Sequence, residues 1–345
     1  MSAVDQVALG RGLSGALDGA APIEITSREP LKPAVQRVRL LAAGRARSVI
    51  VKRLAPEIAR RNQLVATRWL PAAGMERAAP AVLGILTDPD PARAWLVAED
   101  LGAATFAAQP PDAARLQAAI ELLARLHTRF AEHALLGEVR LWGGDLGASW
   151  LEANLRDATR ALAALREPLV PPGGARAALR ERLLDRLAAL LEQAPRRAEE
   201  LWACGGPETL LHGDLWLANI VDVRDGDSAG AGDGGPRIAL IDWDHAAVGP
   251  PLYDVSTFLL RFPHGERLGL WATYARALGR RAWRLPDEAA LERLCASAEH
   301  GRIANRLIWP ALEIVRAADE ESRERSWADL EEVSRWLEAA EDVWP

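Results

Sequence analysis

Hydrophobic and polar residues alternate over five short stretches in the first hundred residues, which is the pattern of half-buried β-strands. The first three stretches follow one another closely and predict a small antiparallel meander. A helix is predicted over residues 56–70, because Pro56 suits a first helical turn and Pro71 follows the last apolar position. The predicted strands are 23–26, 35–41, 48–54, 81–86 and 94–98.

Beyond Asp112 the apolar residues recur every three or four positions, which predicts helices. The pattern breaks at 99–102, and we place there the boundary between a small N-terminal lobe, residues 1–99, and a larger lobe, residues 100–345. The predicted fold class is α+β, with an antiparallel sheet in the first lobe and mainly helices in the second. The predicted helices are 112–130, 148–166, 174–203, 251–262, 266–279, 287–317 and 324–343.

One polar loop stands between two apolar runs in the second half of the chain. It carries the spacing H-x-D-x-x-x-x-N, with His212, Asp214 and Asn219, and the apolar runs predict a strand on either side. Asp242 follows the next apolar run, 238–241. Metal-assisted phosphoryl transfer uses this layout, with one carboxylate near the acceptor hydroxyl and an amide plus a carboxylate on Mg²⁺.

The composition is that of a globular protein, with 49% hydrophobic and 26% charged residues. A formal net charge of −6 at pH 7 argues against a nucleic-acid partner. No uncharged apolar run is long enough to cross a bilayer, and the first residues lack a signal-peptide pattern. Cys204 and Cys295 have no metal-ligand spacing, so free thiols are expected. These features predict a soluble cytoplasmic protein without a membrane partner.

Two glycine-rich stretches look functional but are predicted to be structural. Residues 10–15 fit G-x-G-x-x-G, yet nothing strand-like precedes them, so a short helix over 4–19 and its exit are predicted instead. Residues 223–236 are dense in Gly and Asp and predict a hairpin tip. A calcium loop there would need a glutamate where Pro236 stands.

The motifs together resemble the aminoglycoside phosphotransferase and choline kinase superfamily. The resemblance rests on the string 212–216 followed by Asn219, on the pair 241–242 and on the pair 253–254. The string His-Gly-Asp-Leu-Trp is also similar to that of fructosamine kinases. The resemblance spans nearly the whole chain and implies a protein-kinase-like bilobal fold, with ATP and Mg²⁺ as cofactors and a small-molecule hydroxyl as acceptor.

Carried over position by position, the resemblance implies roles for the catalytic end of the site. Asp214 would accept or orient the proton of the acceptor hydroxyl. Asn219 and Asp242 would bind Mg²⁺. His212 would orient the loop without taking part in the chemistry.

The resemblance also implies a nucleotide site in the N-terminal lobe. Lys52, which closes a Val/Ile run, would hold the α- and β-phosphates. The hinge backbone at Ala98 and Asp100 would read adenine. Apolar walls on the two faces of the base would come from Ile50 and Ile241.

Two features of the N-terminal lobe depart from the family pattern. The connection near 27–32 has no glycine, so a phosphate cover there must use other backbone geometry, Arg28 or Lys32. The position of the helix glutamate that pairs with the lysine falls on Gln63, with Glu57 as a nearer but weaker candidate.

Small-molecule kinase is favoured over protein kinase, because Gly213 replaces the arginine that reads a phosphorylated activation loop and no A-P-E motif follows Asp242. The acceptor stays open among a sugar, an amino alcohol and an aminoglycoside-like compound, and so does the choice between antibiotic-resistance kinase and metabolic kinase. A catalytically weak, nucleotide-binding pseudokinase is the alternative from another class. The sequence does not indicate an oligomeric state.

Overall fold

The computed structural model describes residues 12, 13, 15, 23–42, 44–223, 236–279 and 283–342. Most of the predicted hairpin tip at 223–236 and of the predicted helix at 4–19 therefore lies outside the described residues. Within the predicted helix at 4–19, Gly12, Leu13 and Gly15 are helical, and Leu13 is fully buried in the core of the first sheet.

A five-stranded antiparallel sheet forms in the N-terminal region. Its strands are β1 (Ile23–Lys32), β2 (Val35–Ala42), β3 (Arg45–Leu54), β4 (Val82–Thr87) and β5 (Ala94–Glu99), in the order β1-β2-β3-β5-β4. All five strands were predicted, but the first is longer than expected. The predicted connection near 27–32 belongs to β1, whose register shifts twice against β2, and the turn itself is only Pro33 and Ala34.

The alternation along these strands divides the sheet into two faces, because successive side chains point to opposite sides. One face is a closed core, to which β3 contributes Val49 and Val51 and β5 contributes Trp95 and Val97. The intervening residues lie on the other face. The two-residue period thus directs Lys52 and its neighbours away from the core.

The helix that follows β3 covers part of this second face. Helix α1 (Pro56–Leu64) continues through a π-helical turn, Val65–Trp69, and a last α-helical turn, Leu70–Ala72. Ala59 of α1 is buried with Leu54, Ala94 and Leu96 in a small cluster of its own.

The other elements follow the predicted order. The further strands are β6 (Gly144–Asp145), β7 (Thr209–Leu211), β8 (Ile220–Val223), β9 (Arg237–Leu240) and β10 (Ala247–Gly249). The further helices are α2 (Ala113–Phe130), α3 (Leu136–Trp142), α4 (Trp150–Ala163), α5 (Ala175–Cys204), α6 (Leu252–Leu259), α7 (His264–Leu278), α8 (Glu288–Arg316) and α9 (Glu320–Asp342). The strand β7 was predicted, but α3, β6, β10 and the pairing of the three-stranded sheet β6-β10-β7 were not. The antiparallel pair β8–β9 agrees with the predicted hairpin.

Helix starts are fixed locally where a carboxylate caps them. Asp112 accepts a hydrogen bond from the backbone N–H of Arg115 at the start of α2, and Asp287 accepts one from Ala290 at the start of α8. Each carboxylate satisfies a backbone N–H that has no partner within the helix.

The chain divides into two compact units. The first comprises Met1–Gly144, His212–Ala247 and Thr273–Gly279, and the second comprises Asp145–Leu211, Val248–Ala272 and Arg280–Pro345. In the second unit, α4, α5, α8 and α9 enclose one hydrophobic core. These units are defined by compactness, and the predicted lobe boundary between residues 99 and 100 stays a prediction.

Two sequence-based expectations concern chemistry outside the site. Cys204 and Cys295 are free thiols, as predicted. Across the described part of the chain, no helix combines the length and the apolar character that a membrane span requires.

Candidate active site

A mostly apolar cavity of about 310 Å³ lies in the first unit, on the sheet face opposite the closed core. Its volume is at the lower end of the range of roughly 300–1,000 Å³ that small-molecule sites occupy. The predicted wall residues Ile50 and Ile241 and the predicted hinge residue Ala98 all line it, together with Leu96 and Val221.

Asp100, the other predicted hinge residue, is not among the residues that line the cavity. Its neighbours Glu99 and Leu101 line it instead. The carboxylate of Asp100 accepts hydrogen bonds from Arg37 Nε at 2.7 Å and from Ser48 Oγ at 2.5 Å. Burial opposes the charged form, but these donors hold the pKa of Asp100 below its usual value. The side chain thereby fixes the end of β5 to β2 and β3.

The polar end of the cavity is formed by Lys52 and Asp242. The Lys52 ammonium donates to Asp242 Oδ1 at 2.5 Å and to Asp244 Oδ1 at 3.0 Å, while Lys32 Nζ lies 3.8 Å from Asp242 Oδ2. Burial disfavours the charged form of Lys52, but the two carboxylates outweigh it and raise its pKa. For Asp242 the same balance runs the other way, and the lysines lower its pKa against the effect of burial.

Asp242 has a left-handed backbone conformation, with φ 68° and ψ 54°. A non-glycine residue in this region costs of order 1–3 kcal/mol and persists only where its surroundings impose it. Here the strand β9 ends two residues earlier, and the short 3₁₀ turn Trp243–His245 begins immediately afterwards. Asp242 is one of the two residues, with Asn219, to which the resemblance assigns Mg²⁺.

Helix α1 reaches this cluster through residues that the sequence did not indicate. Asn62 Nδ2 donates to Asp244 Oδ1 at 2.8 Å, and Arg61 donates to the backbone carbonyl of Asp244. Asn62 also lines the cavity. The expectation that Gln63 faces Lys52 is therefore wrong by one position, since Gln63 instead accepts a hydrogen bond from Arg60 at 2.6 Å. The anionic partner of the lysine comes from the Asp242–Asp244 segment, and α1 contributes an amide that holds it.

The loop with the H-x-D-x-x-x-x-N spacing connects β7 to β8 and is tied to the Asp242 strand. His212 Nε2 donates to the carbonyl of Ile241 at 2.9 Å, and the Ile241 N–H donates to the carbonyl of Asn219 at 2.9 Å. Asn219 Nδ2 donates to the Asp214 carbonyl at 2.8 Å and to its Oδ2 at 3.3 Å. The structure therefore gives His212 the orienting position that the resemblance implied.

Gly213 adopts φ +80°, a conformation that side chains rarely accept. A Cβ at this position would lie 2.0 Å from the backbone oxygen of His245. The loop that carries Gly213 lies so close to the turn Trp243–His245 that only glycine fits at this position. This contact gives a steric reason for glycine where protein kinases have arginine.

Asn219 and Asp242 fit Mg²⁺ by their donor chemistry. The amide nitrogen of Asn219 is used by Asp214, which leaves its carbonyl oxygen as the end available to a cation. Amide and carboxylate oxygens are ligands that Mg²⁺ prefers, and the ion usually adds substrate phosphates and waters to one or two protein groups.

The family model described as the phosphotransferase enzyme family matches residues 34–294, which is most of the chain. The chain belongs to this family. The match confirms the predicted superfamily and the enzyme class, a small-molecule phosphotransferase. No curated protein sequence matches this phosphotransferase.

Solved structures share the fold of this phosphotransferase at low sequence identity. An aminoglycoside phosphotransferase from Streptomyces rimosus, in complex with ADP and streptomycin, gives a TM-score of 0.53 at 16% identity over 88% of this chain and 99% of that one. A macrolide 2'-phosphotransferase from Brachybacterium faecium gives 0.56 at 18% over 96% and 98%. Choline kinase from Streptococcus pneumoniae gives 0.53 at 15% over 96% and 100%. The predicted kinase-like α+β fold is confirmed.

Proposed function

We propose that the protein is an ATP- and Mg²⁺-dependent kinase that transfers the γ-phosphoryl group to a hydroxyl of a small molecule. The observation that carries the proposal is Lys52, held by two carboxylates at the polar end of an apolar cavity. An adenine base suits the apolar part, and the triphosphate suits the charged end.

The residues of this chain have distinct tasks in the proposal. Lys52 neutralises charge on the α- and β-phosphates, and Asp214 orients the acceptor hydroxyl and takes its proton. Asp214 needs position more than basicity, because the transition state of phosphoryl transfer is loose. Asn219 and Asp242 would hold Mg²⁺, which would supply positive charge against the phosphate groups.

The nucleotide subsite in the proposal uses the apolar walls at Ile50 and Ile241. The backbone at Ala98, which lines the cavity, reads the edge of the base, and Asp100 fixes the end of the strand beside it. The rigid attachment of Asp100 to Arg37 supports this role, because a fixed backbone keeps its hydrogen-bonding groups in place when no ligand is bound.

The acceptor class is proposed from the range that related folds accept. Structural neighbours include a spectinomycin phosphotransferase, an ethanolamine kinase and the choline kinase named above. A panel of amino alcohols, hexoses, ketosamines, aminoglycosides and macrolides therefore covers both a metabolic and a resistance kinase.

The test measures acceptor-dependent release of ADP with and without Mg²⁺, for wild type and Asp214→Asn. We expect turnover in the wild type and a loss of about 100- to 10,000-fold in kcat in the variant, because positioned proton transfer contributes that range. Nucleotide affinity should stay close to wild type, since Asp214 does not line the cavity.

Asp112→Asn is the matched control, because Asn also caps a helix and the charge change is the same. Turnover retained in Asp214→Asn would overturn the role of that residue. Absence of turnover with every acceptor, together with absence of metal-dependent nucleotide binding, would favour the pseudokinase alternative.

A further inference from the structure

The chain uses lysine at only two positions, Lys32 and Lys52, although Lys and Arg together number 42. Both lysines line the same cavity, and both Nζ atoms lie within 4 Å of one carboxylate, that of Asp242. All the other residues in that count are arginines. The lysine ammonium is a compact charge on a flexible side chain, and lysine commonly binds phosphate groups in this way.

The turn that carries Lys32 is poor in backbone hydrogen-bond donors. A glycine-rich loop covers phosphates with successive backbone N–H groups. Here the connection between β1 and β2 is only Pro33 and Ala34, and Pro30 lies just before it. Proline has no N–H. The turn therefore has few backbone donors for a phosphate, and positive charge must come from a side chain.

Lys32 is placed to supply that charge. Its Nζ approaches Oδ2 of Asp242, whereas Lys52 approaches Oδ1, so the two ammonium groups flank the carboxylate. The Lys32 side chain is 63% exposed, against 15% for Lys52, and so has room to exchange its partner. Arg28, the other candidate in this strand, does not line the cavity.

We propose that Lys32 binds the terminal phosphates of the nucleotide through its ammonium group, in place of the backbone amides of a glycine-rich loop. The inference rests on the proposed function. In the absence of nucleotide Lys32 pairs with Asp242, and a phosphate oxygen replaces that carboxylate when the nucleotide enters. One anionic partner is exchanged for another, so the positive charge is never left unpaired.

The first test compares the affinities of AMP, ADP and ATP for wild type, Lys32→Met and Lys32→Arg. Lys32→Met should weaken ATP by about 10-fold, the effect of one charge-assisted hydrogen bond at an exposed site. AMP should bind like wild type, because it ends before the terminal phosphates. Lys32→Arg should recover most of the loss by restoring the charge.

Arg45→Met is the matched control, since it removes one positive charge from an exposed position at the opposite hairpin of the same sheet. It should leave all three affinities unchanged. Equal weakening of AMP and ATP in Lys32→Met would overturn the proposal, because it would indicate a structural effect on the cavity.

The second test uses the scarcity of lysine. An amine-reactive acylating reagent modifies only Lys32, Lys52 and the N-terminus, and peptide mass spectrometry measures each rate separately. With Mg²⁺, a non-hydrolysable ATP analogue should protect both lysines, whereas AMP should leave Lys32 reactive.

The outcomes separate the inference from the proposed function. Protection of Lys52 without protection of Lys32, with unchanged ATP affinity in Lys32→Met, would overturn the inference alone. Protection of neither lysine, with no nucleotide-dependent turnover, would overturn both. Loss of protection at Lys32 on removal of the γ-phosphate would support the inference and assign the contact to that group.

Discussion

At the scale of single residues, Asp244 gains a role that the sequence did not indicate. Its carboxylate accepts hydrogen bonds from Lys52 and from Asn62 at the same oxygen. If Asp242 holds Mg²⁺ as proposed, Asp244 would remain as a carboxylate partner of Lys52. It would then supply the negative charge that the resemblance assigns to a helix glutamate.

Asp244→Asn is expected to lower kcat/KM by about 10- to 100-fold, because residues that orient a catalytic group have effects of that size. The amide keeps the shape and an acceptor oxygen but removes the charge that raises the pKa of Lys52. Steady-state kinetics with varied ATP measures the effect, beside the melting temperature.

Asp90→Asn is the control for this variant, since Asp90 is an exposed carboxylate in the β4–β5 turn. A loss of melting temperature without a kinetic effect would show that Asp244 only stabilises the fold.

At the scale of elements, the packing of α5 against α8 buries an ionisable side chain in the second unit. His300 on α8 is 3% exposed, and its Nδ1 lies 3.0 Å from the guanidinium of Arg197 on α5. Burial, then the charges of Arg197 and Arg186, lower the pKa of His300 to about 4. The folded protein thus holds the ring neutral, with Nδ1 as the acceptor.

Acidification from pH 6.5 towards pH 4 should therefore destabilise the protein, because the unfolded chain binds a proton at His300 that the folded state excludes. The contribution reaches about 2 kcal/mol at pH 5. His300→Gln should remove this part of the pH dependence. Unfolding free energies from urea titrations at pH 7 and pH 5 measure the difference.

The control is His264→Gln, because His264 is an exposed histidine of the same unit. It should keep the pH dependence of the wild type. If His300→Gln keeps the pH dependence of the wild type, burial of the neutral His300 ring is not the cause of the destabilisation in acid.

At the scale of the whole molecule, the proposed nucleotide site lies entirely within the first compact unit. Ligand at 100 times its dissociation constant stabilises the state that binds it by about 2.7 kcal/mol. A ligand that contacts one unit acts first on the local openings of that unit.

Hydrogen exchange with and without a Mg²⁺-bound, non-hydrolysable ATP analogue should therefore show protection concentrated in β3, β5 and the segment His212–Ala247. Amides in the core of α5 and α8 should change little. Protection confined to the second unit would contradict the location of the site. The Lys52→Met variant is the control, because it should bind the analogue weakly and show little change in exchange when the analogue is added.

The sequence by itself determined the presence of the five strands of the first sheet, the longer helices and the motif from His212 to Asn219. The two-residue alternation in β3 is a property of neighbouring residues, so it predicted the strand that carries Ile50 and Lys52. The spacing from His212 to Asn219 is equally local. These features were predicted correctly because no distant contact is needed to specify them.

Only the tertiary structure decided which groups meet at the charged end of the cavity. Lys52 and Asp242 are 190 residues apart, and Asn62 and Asp244 are 182 apart. Neighbouring residues of α1 point about 100° apart around the helix, so Asn62 reaches Asp244 while Gln63 contacts Arg60 instead. The place of Lys32 at Asp242 likewise depends on the length of β1 and on a two-residue turn, and neither is encoded in a local period.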